Sequence, residues 1–119
     1  MEIVFEKGYA IDKDVDIAVN SANGHLMLGS SGAGKIRESS KRLGLFGKFV
    51  YSRELAKLPK PTQDFYRWNY ETYGFIPTVA QLSCIRLLIR RGGKSLKLGE
   101  AILDDSWSKS DRRRIIHAV

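Results

Sequence analysis

The sequence predicts a mixed α/β fold, and three observations carry that expectation. Val15, Ile17 and Val19 alternate with Asp16, Ala18 and Asn20, the period of two of a β-strand. Thr78-Val79-Ala80-Gln81, directly after Pro77, is a helix-capping box, and Val79, Leu82, Ile85, Leu88 and Ile89 extend it as an apolar stripe as far as Gly92-Gly93. Residues 99–103 and 115–119 are short apolar runs of strand length. The resulting order, β-β-α-(α)-α-β-β, indicates a mixed sheet with helices packed on it.

Taken in order, Ile3, Val4 and Phe5 form a brief apolar run ended by Gly8, a candidate first strand. The second strand, from Val15 to Asn20, becomes almost wholly apolar at Ile17-Ala18-Val19, as suits a central strand covered on both faces. The turn formers Asn20-Ser21-Ala22-Asn23-Gly24 stop it. Gly29-Ser30-Ser31-Gly32-Ala33-Gly34-Lys35 would make a poor helix interior, at about 1 kcal/mol per glycine relative to alanine, but a good approach to a helix N-terminus. That helix is expected from Gly32 or Ala33 to Leu43, with Gly44 ending it. Residues 45–77 hold most of the aromatics, including Phe46, Phe49, Tyr51, Tyr66 and Tyr70, and show no clean period. Within them a helix over 62–73 is suggested by Phe65, Trp68 and Asn69 falling on one face.

Composition narrows the class. The 119 residues suffice for a single domain, residues 1–119, and leave no room for two. A hydrophobic content of 43% and a charged content of 28% are those of an ordinary soluble globular chain. No apolar run approaches the roughly 18 residues of a membrane span, and the short acidic N-terminus is not a signal peptide. Cys84 is the lone cysteine, which excludes an intrachain disulfide and a cysteine-rich metal site and makes a cytoplasmic address the expectation. His25 and His117 are far apart and offer no ligand spacing, so neither a metal nor any other cofactor is expected. His117 and Cys84 read as core residues, and His25 as a weak candidate for ligand contact. The net charge of +7 favours an anionic partner.

The glycine-rich loop is the main functional signal. Such a loop feeding a helix aims several backbone N–H groups at one spot, where the helix dipole adds partial positive charge. Gly29 to Lys35 nearly matches the P-loop pattern, with Asp104 or Asp105 as a conceivable metal-binding aspartate. Ile36, however, occupies the Ser/Thr position that would hold Mg²⁺, and the strand ends well before the first glycine.

The residues around the loop point elsewhere. Val15-Asp16-Ile17-Ala18-Val19-Asn20-Ser21-Ala22-Asn23, followed by Leu26-Met27-Leu28-Gly29-Ser30-Ser31-Gly32-Ala33-Gly34, resembles the signature of macro domains, with its N-x-A-N strand end and glycine-rich loop. Gly99-Glu100-Ala101-Ile102-Leu103 and Ile115-Ile116-His117-Ala118-Val119 are similar to that family's Gly-Glu-Ala and I-H-x-V strands. The resemblance covers residues 1–44 and 96–119 and leaves 45–77 as an insertion.

The resemblance implies a three-layer α/β/α fold around a mixed central sheet, and binding of ADP-ribose or a related nucleotide. It implies that Asn23 reaches the distal ribose and that Asn20 mainly holds the loop. The backbone of Gly29, Ser30, Ser31, Gly32, Ala33 and Gly34 would face the diphosphate and distal ribose, and Ala10 would be a further ligand contact. On that basis Asn23→Ala is expected to weaken binding without unfolding the domain. Two departures matter. Tyr9 stands where the family has an adenine-binding aspartate, and Ala33 stands where its hydrolases carry a water-activating aspartate, so a binding module is expected over a hydrolase.

Family members also continue beyond the I-H-x-V strand. The resemblance therefore implies an incomplete sheet, or a homodimer covering the exposed edge. A further alternative is a basic nucleic-acid-binding module that takes RNA or DNA through Arg112-Arg113-Arg114, Arg86, Arg90, Arg91, Lys94 and Lys97, with the aromatics of 46–73.

Overall fold

The computed structural model describes residues 3, 5–8, 16–29, 31–105 and 114–119. It lays a strand from near the start of the chain beside one from the end. Strand β1 (Ile17–Ser21) pairs in parallel with β3 (Arg114–Ala118), and β3 pairs antiparallel with β2 (Ala101–Asp104), giving the order β1-β3-β2. Between β1 and β2 run four helices, α1 (Ser31–Ser39), α2 (Leu45–Leu55), α3 (Lys60–Tyr73) and α4 (Val79–Arg90). The fold is mixed α/β, as expected.

The sheet is covered on one face among the described residues. Ala18 and Asn20 of β1, Ile115 and His117 of β3, and Asp104 of β2 are buried and share the core with Ile36 of α1 and Cys84, Ile85 and Leu88 of α4. The other face carries Ile17, 46% exposed, Val19, 62% exposed, and Leu103, 46% exposed. The expectation that β1 is a central strand covered on both faces is therefore corrected. Its apolar run reflects small residues turned inward and β-branched residues turned outward, and it pairs only with β3 among the described residues. Ile3 and Phe5 lie outside any strand and are largely exposed, since a short apolar run makes a strand only when another strand accepts its backbone groups.

The helices differ from expectation in instructive ways. Helix α1 stops at Ser39 and does not continue to Leu43. The next residues turn their backbone to the segment ahead of α4: Leu43 N donates to Pro77 O at 3.1 Å, Val79 N to Lys41 O at 2.9 Å, and Ala80 N to Ser40 Oγ at 2.8 Å. Helix α2 hides its period because Leu45, Phe46 and Phe49 face solvent while Tyr51 faces the core. In α3 the buried stripe is Thr62, Tyr66 and Asn69, and Trp68 points outward at 55% exposure.

Helix α4 starts at the expected cap, with Gln81 N donating to Thr78 Oγ1 at 3.3 Å. The capping box is realised on that side only, because the Gln81 side chain is drawn into the protein instead. Among the described residues no helix is long and apolar enough to cross a membrane.

Candidate functional site

The loop joining β1 to α1 is held from three directions. Asn23 secures its near end: Oδ1 accepts from the N–H groups of His25 and Met27, both at 3.1 Å, and Nδ2 donates to Met27 O at 2.8 Å. This Asx-type closure is the ordinary work of an asparagine in a turn.

Gln81, 1% exposed, secures the middle of the loop from beneath. Its Oε1 accepts from Leu28 N at 2.8 Å, and its Nε2 donates to Leu26 O at 2.9 Å and to Tyr66 Oη at 3.0 Å. Tyr66 Oη donates in turn to His25 O at 2.7 Å. Burial raises the Tyr66 phenol well above its ordinary range, which favours its protonated, donating form. His25 lies beside Thr62, its Nδ1 3.0 Å from Thr62 Oγ1, and burial lowers its pKa.

Arg37 secures the far end from α1. Its Nε donates to Leu28 O at 3.1 Å and an Nη to Gly29 O at 3.0 Å, while the guanidinium lies 3.6 Å from the centre of the Phe75 ring. From Asn23 to Gly29 the loop is therefore held by side chains, with the carbonyls of His25, Leu26, Met27, Leu28 and Gly29 turned back into the protein.

The glycines divide by role. At Gly29 and Gly32 no described atom lies within 4 Å of where a Cβ would stand, so the backbone there is open to approach. At Gly34 a Cβ would stand 2.7 Å from Gly29 O, and glycine is required for packing. Ala33 packs against the core. Ala10 and Ser30 lie outside the described residues, as do Tyr9, Arg112 and Arg113; of Ser31 only its place as the first residue of α1 is described.

Asn20 does not hold the loop. Its side chain crosses the β1–β3 pairing to its register partner, with Nδ2 3.1 Å from His117 Nδ1. His117 and Cys84 are buried in the core, as expected, and stand close to Asp104. His117 Nε2 lies 3.7 Å from Cys84 Sγ and 3.8 Å from Asp104 Oδ2, and Ser83 Oγ donates to Asp104 Oδ1 at 2.8 Å. Burial, and then the neighbouring Asp104 charge, push the Cys84 thiol well above its ordinary range, which leaves it a poor nucleophile. The three residues come from α4, β2 and β3, and their sequence spacing matches no motif.

A separate cleft of about 650 Å³ is lined by His25, Thr62, Arg91, Lys94 and Lys97 among others. Its basic character is moderated by the Arg91–Glu100 ion pair at 3.2 Å.

No protein-family model, curated protein or solved structure matches the chain. Its function must be argued from the site itself.

The geometry changes what Asn23 tests. Asn23→Ala removes three hydrogen bonds internal to the loop and is expected to cost about 1.5–2.5 kcal/mol, the lower part of the range for three such bonds, because water reaches this half-buried loop. Asn23→Asp keeps the acceptor and should retain more of the stability. Thermal melts of the two variants check this ordering, and equal melting temperatures for Asn23→Ala and the unaltered chain would refute it.

Proposed function

We propose that the chain is a macro-like module that binds ADP-ribose or a related nucleotide diphosphate at the start of α1, without catalysing its turnover. The observation that carries this reading is the form of the glycine run. Gln81 and Arg37 fix the approach to it, through Leu26, Leu28 and Gly29, and no described atom lies within 4 Å of a Cβ at Gly29 or Gly32. Backbone N–H groups at such a helix start are unsatisfied within the helix and suit a compact anion. A diphosphate approached by backbone needs no lysine, and an approach segment held at Leu26, Leu28 and Gly29 reduces the entropy lost on binding.

The sheet supports the same reading. Strand β1, which leads into Asn20-Ser21-Ala22-Asn23, lies directly beside β3, which carries Ile115-Ile116-His117. Gly99 and Glu100 lead into β2 on the other side. In this reading the face carrying Ile17, Val19 and Leu103 is the one on which the second helical layer of a three-layer α/β/α arrangement would pack. Ala33 in place of a carboxylate is what favours binding over hydrolysis.

Calorimetric titration with ADP-ribose, AMP and a short RNA, side by side, tests the proposal. ADP-ribose is expected to bind with a modest salt dependence. Gly32→Val should weaken it by roughly tenfold or more, about 1.4 kcal/mol, because the branched side chain fills the approach to the backbone. The same variant should leave the fold intact, since the space at Gly32 is open. Absence of ADP-ribose binding, with RNA binding that falls steeply with salt, would overturn the reading in favour of a nucleic-acid surface.

A further inference from the structure

We propose that Cys84, Asp104 and His117 form a site for one divalent transition-metal ion of the zinc class. Their donor atoms all lie within 4.8 Å of one another, and the three residues are 0–1% exposed. The two measured edges, 3.7 Å from His117 Nε2 to Cys84 Sγ and 3.8 Å from His117 Nε2 to Asp104 Oδ2, bear on the chemistry. The second is too long for a hydrogen bond. Tetrahedral zinc, with bonds of about 2.3 Å to sulfur and about 2.0–2.2 Å to nitrogen or oxygen, sets its donors roughly 3.3–3.6 Å apart. A shift of a few tenths of an ångström closes the two edges at His117, and the longer Cys84–Asp104 edge, within the 4.8 Å extent of the group, closes by about an ångström as the two side chains turn toward the ion.

Charge agrees with geometry. On binding, the ion displaces the Cys84 thiol proton, and the resulting thiolate, carboxylate and neutral imidazole sum to the double negative charge that a divalent cation neutralises. The mixed sulfur, nitrogen and oxygen set suits zinc or cobalt(II) over calcium or magnesium, which take oxygen donors.

The outer contacts are those that metal ligands need. Ser83 Oγ donates to Asp104 Oδ1 and orients the carboxylate. Asn20 holds the far nitrogen of His117, with its amide Nδ2 placed 3.1 Å from Nδ1; ion binding at Nε2 requires the amide to turn over, so that its oxygen accepts Nδ1–H and the Nε2 lone pair is released. Among the described residues no fourth His, Cys, Asp or Glu joins the group. The fourth position then falls to a water molecule or another donor. An ion here would tie α4, β2 and β3 together beneath the loop.

Because the site is buried, the ion enters as the chain folds. The experiment is refolding of the untagged full chain from guanidinium with cobalt(II), then with zinc. One cobalt per chain and a near-ultraviolet thiolate-to-cobalt charge-transfer band are expected. Zinc at about a hundredfold excess over its dissociation constant should raise the melting temperature by on the order of 10 °C. Cys84→Ser should abolish the band, and His25→Ala, remote from the site, should retain it. No band in the unaltered chain, or a band that survives in Cys84→Ser, would overturn the proposal, and so would an unchanged melting temperature with zinc. The first of these measurements needs no variant to fold.

Discussion

Gln81→Leu is expected to be among the most destabilising single substitutions in this chain. Leucine fits the volume but leaves Leu28 N–H and Leu26 C=O without their partner, in a place where water does not reach. Each orphaned buried group costs about 1–3 kcal/mol, so about 2–6 kcal/mol is expected in total. For a domain with a typical stability of about 5–15 kcal/mol that is a large share. At roughly 4 °C per kcal/mol for a chain of this length, the melting temperature should fall by roughly 8–24 °C. Thermal denaturation followed by circular dichroism measures it. A fall of less than about 3 °C would mean that the loop is not held by this residue. Tyr66→Phe makes the graded comparison, because it removes one hydroxyl that serves both Gln81 and His25 O, and it should lie between the two.

Gly34→Val is expected to disrupt the start of α1 by a different route. Its Cβ would stand 2.7 Å from Gly29 O, the carbonyl that also accepts from Arg37. Gly29 must move, which breaks the Arg37 contact, or α1 must shift off the sheet. Overpacking of this kind costs about 1–3 kcal/mol, and two γ-methyl groups set it near the upper end. Helix propensity works the other way, by less than about 1 kcal/mol, and does not reverse the sign. Gly32→Ala, two residues earlier, meets open space and should be neutral or stabilising. Denaturant unfolding of the pair checks this contrast. If the two variants unfold at the same denaturant concentration, the close approach at Gly34 is not what fixes the loop.

What could be read from the sequence follows from where each signal resides. Helix α4 was legible because its cap and its apolar stripe are both local, and Thr78 performs the expected role. The strands β2 and β3 were legible within two residues for the same reason. Helix α2 was not legible, because Phe46 and Phe49 look like core residues and stand in solvent. The true extent of α1 depends on Pro77 and Val79, whose backbone takes up the residues after Ser39. At the site, the glycine run and Asn23 were visible as turn chemistry. Gln81 was hidden behind its apparent role in a capping box, since nothing local shows a side chain turning toward a loop more than 50 residues earlier. Asp104 and His117 are brought near each other by the β2–β3 pairing, in which Asp104 faces Ile115, and Cys84 joins them from α4, which no spacing rule encodes.

Strand β1 also bears on how the chain finds its register. A shift of one residue would turn Ile17 and Val19 inward and Ala18 and Asn20 outward. Burial of two β-branched side chains, at about 1.5–3 kcal/mol each, would by itself favour that slipped pairing. The native alignment is thus threaded against the strand's own apolar preference. Two things oppose the slip: the lack of space beneath Ala18, which is only 4% exposed, and the meeting of Asn20 with His117. In the slipped state His117 would lose that partner inside the core. The asparagine that the motif presents as part of a ligand site therefore also acts as a key for strand alignment, and fidelity of folding depends on it before any ligand arrives.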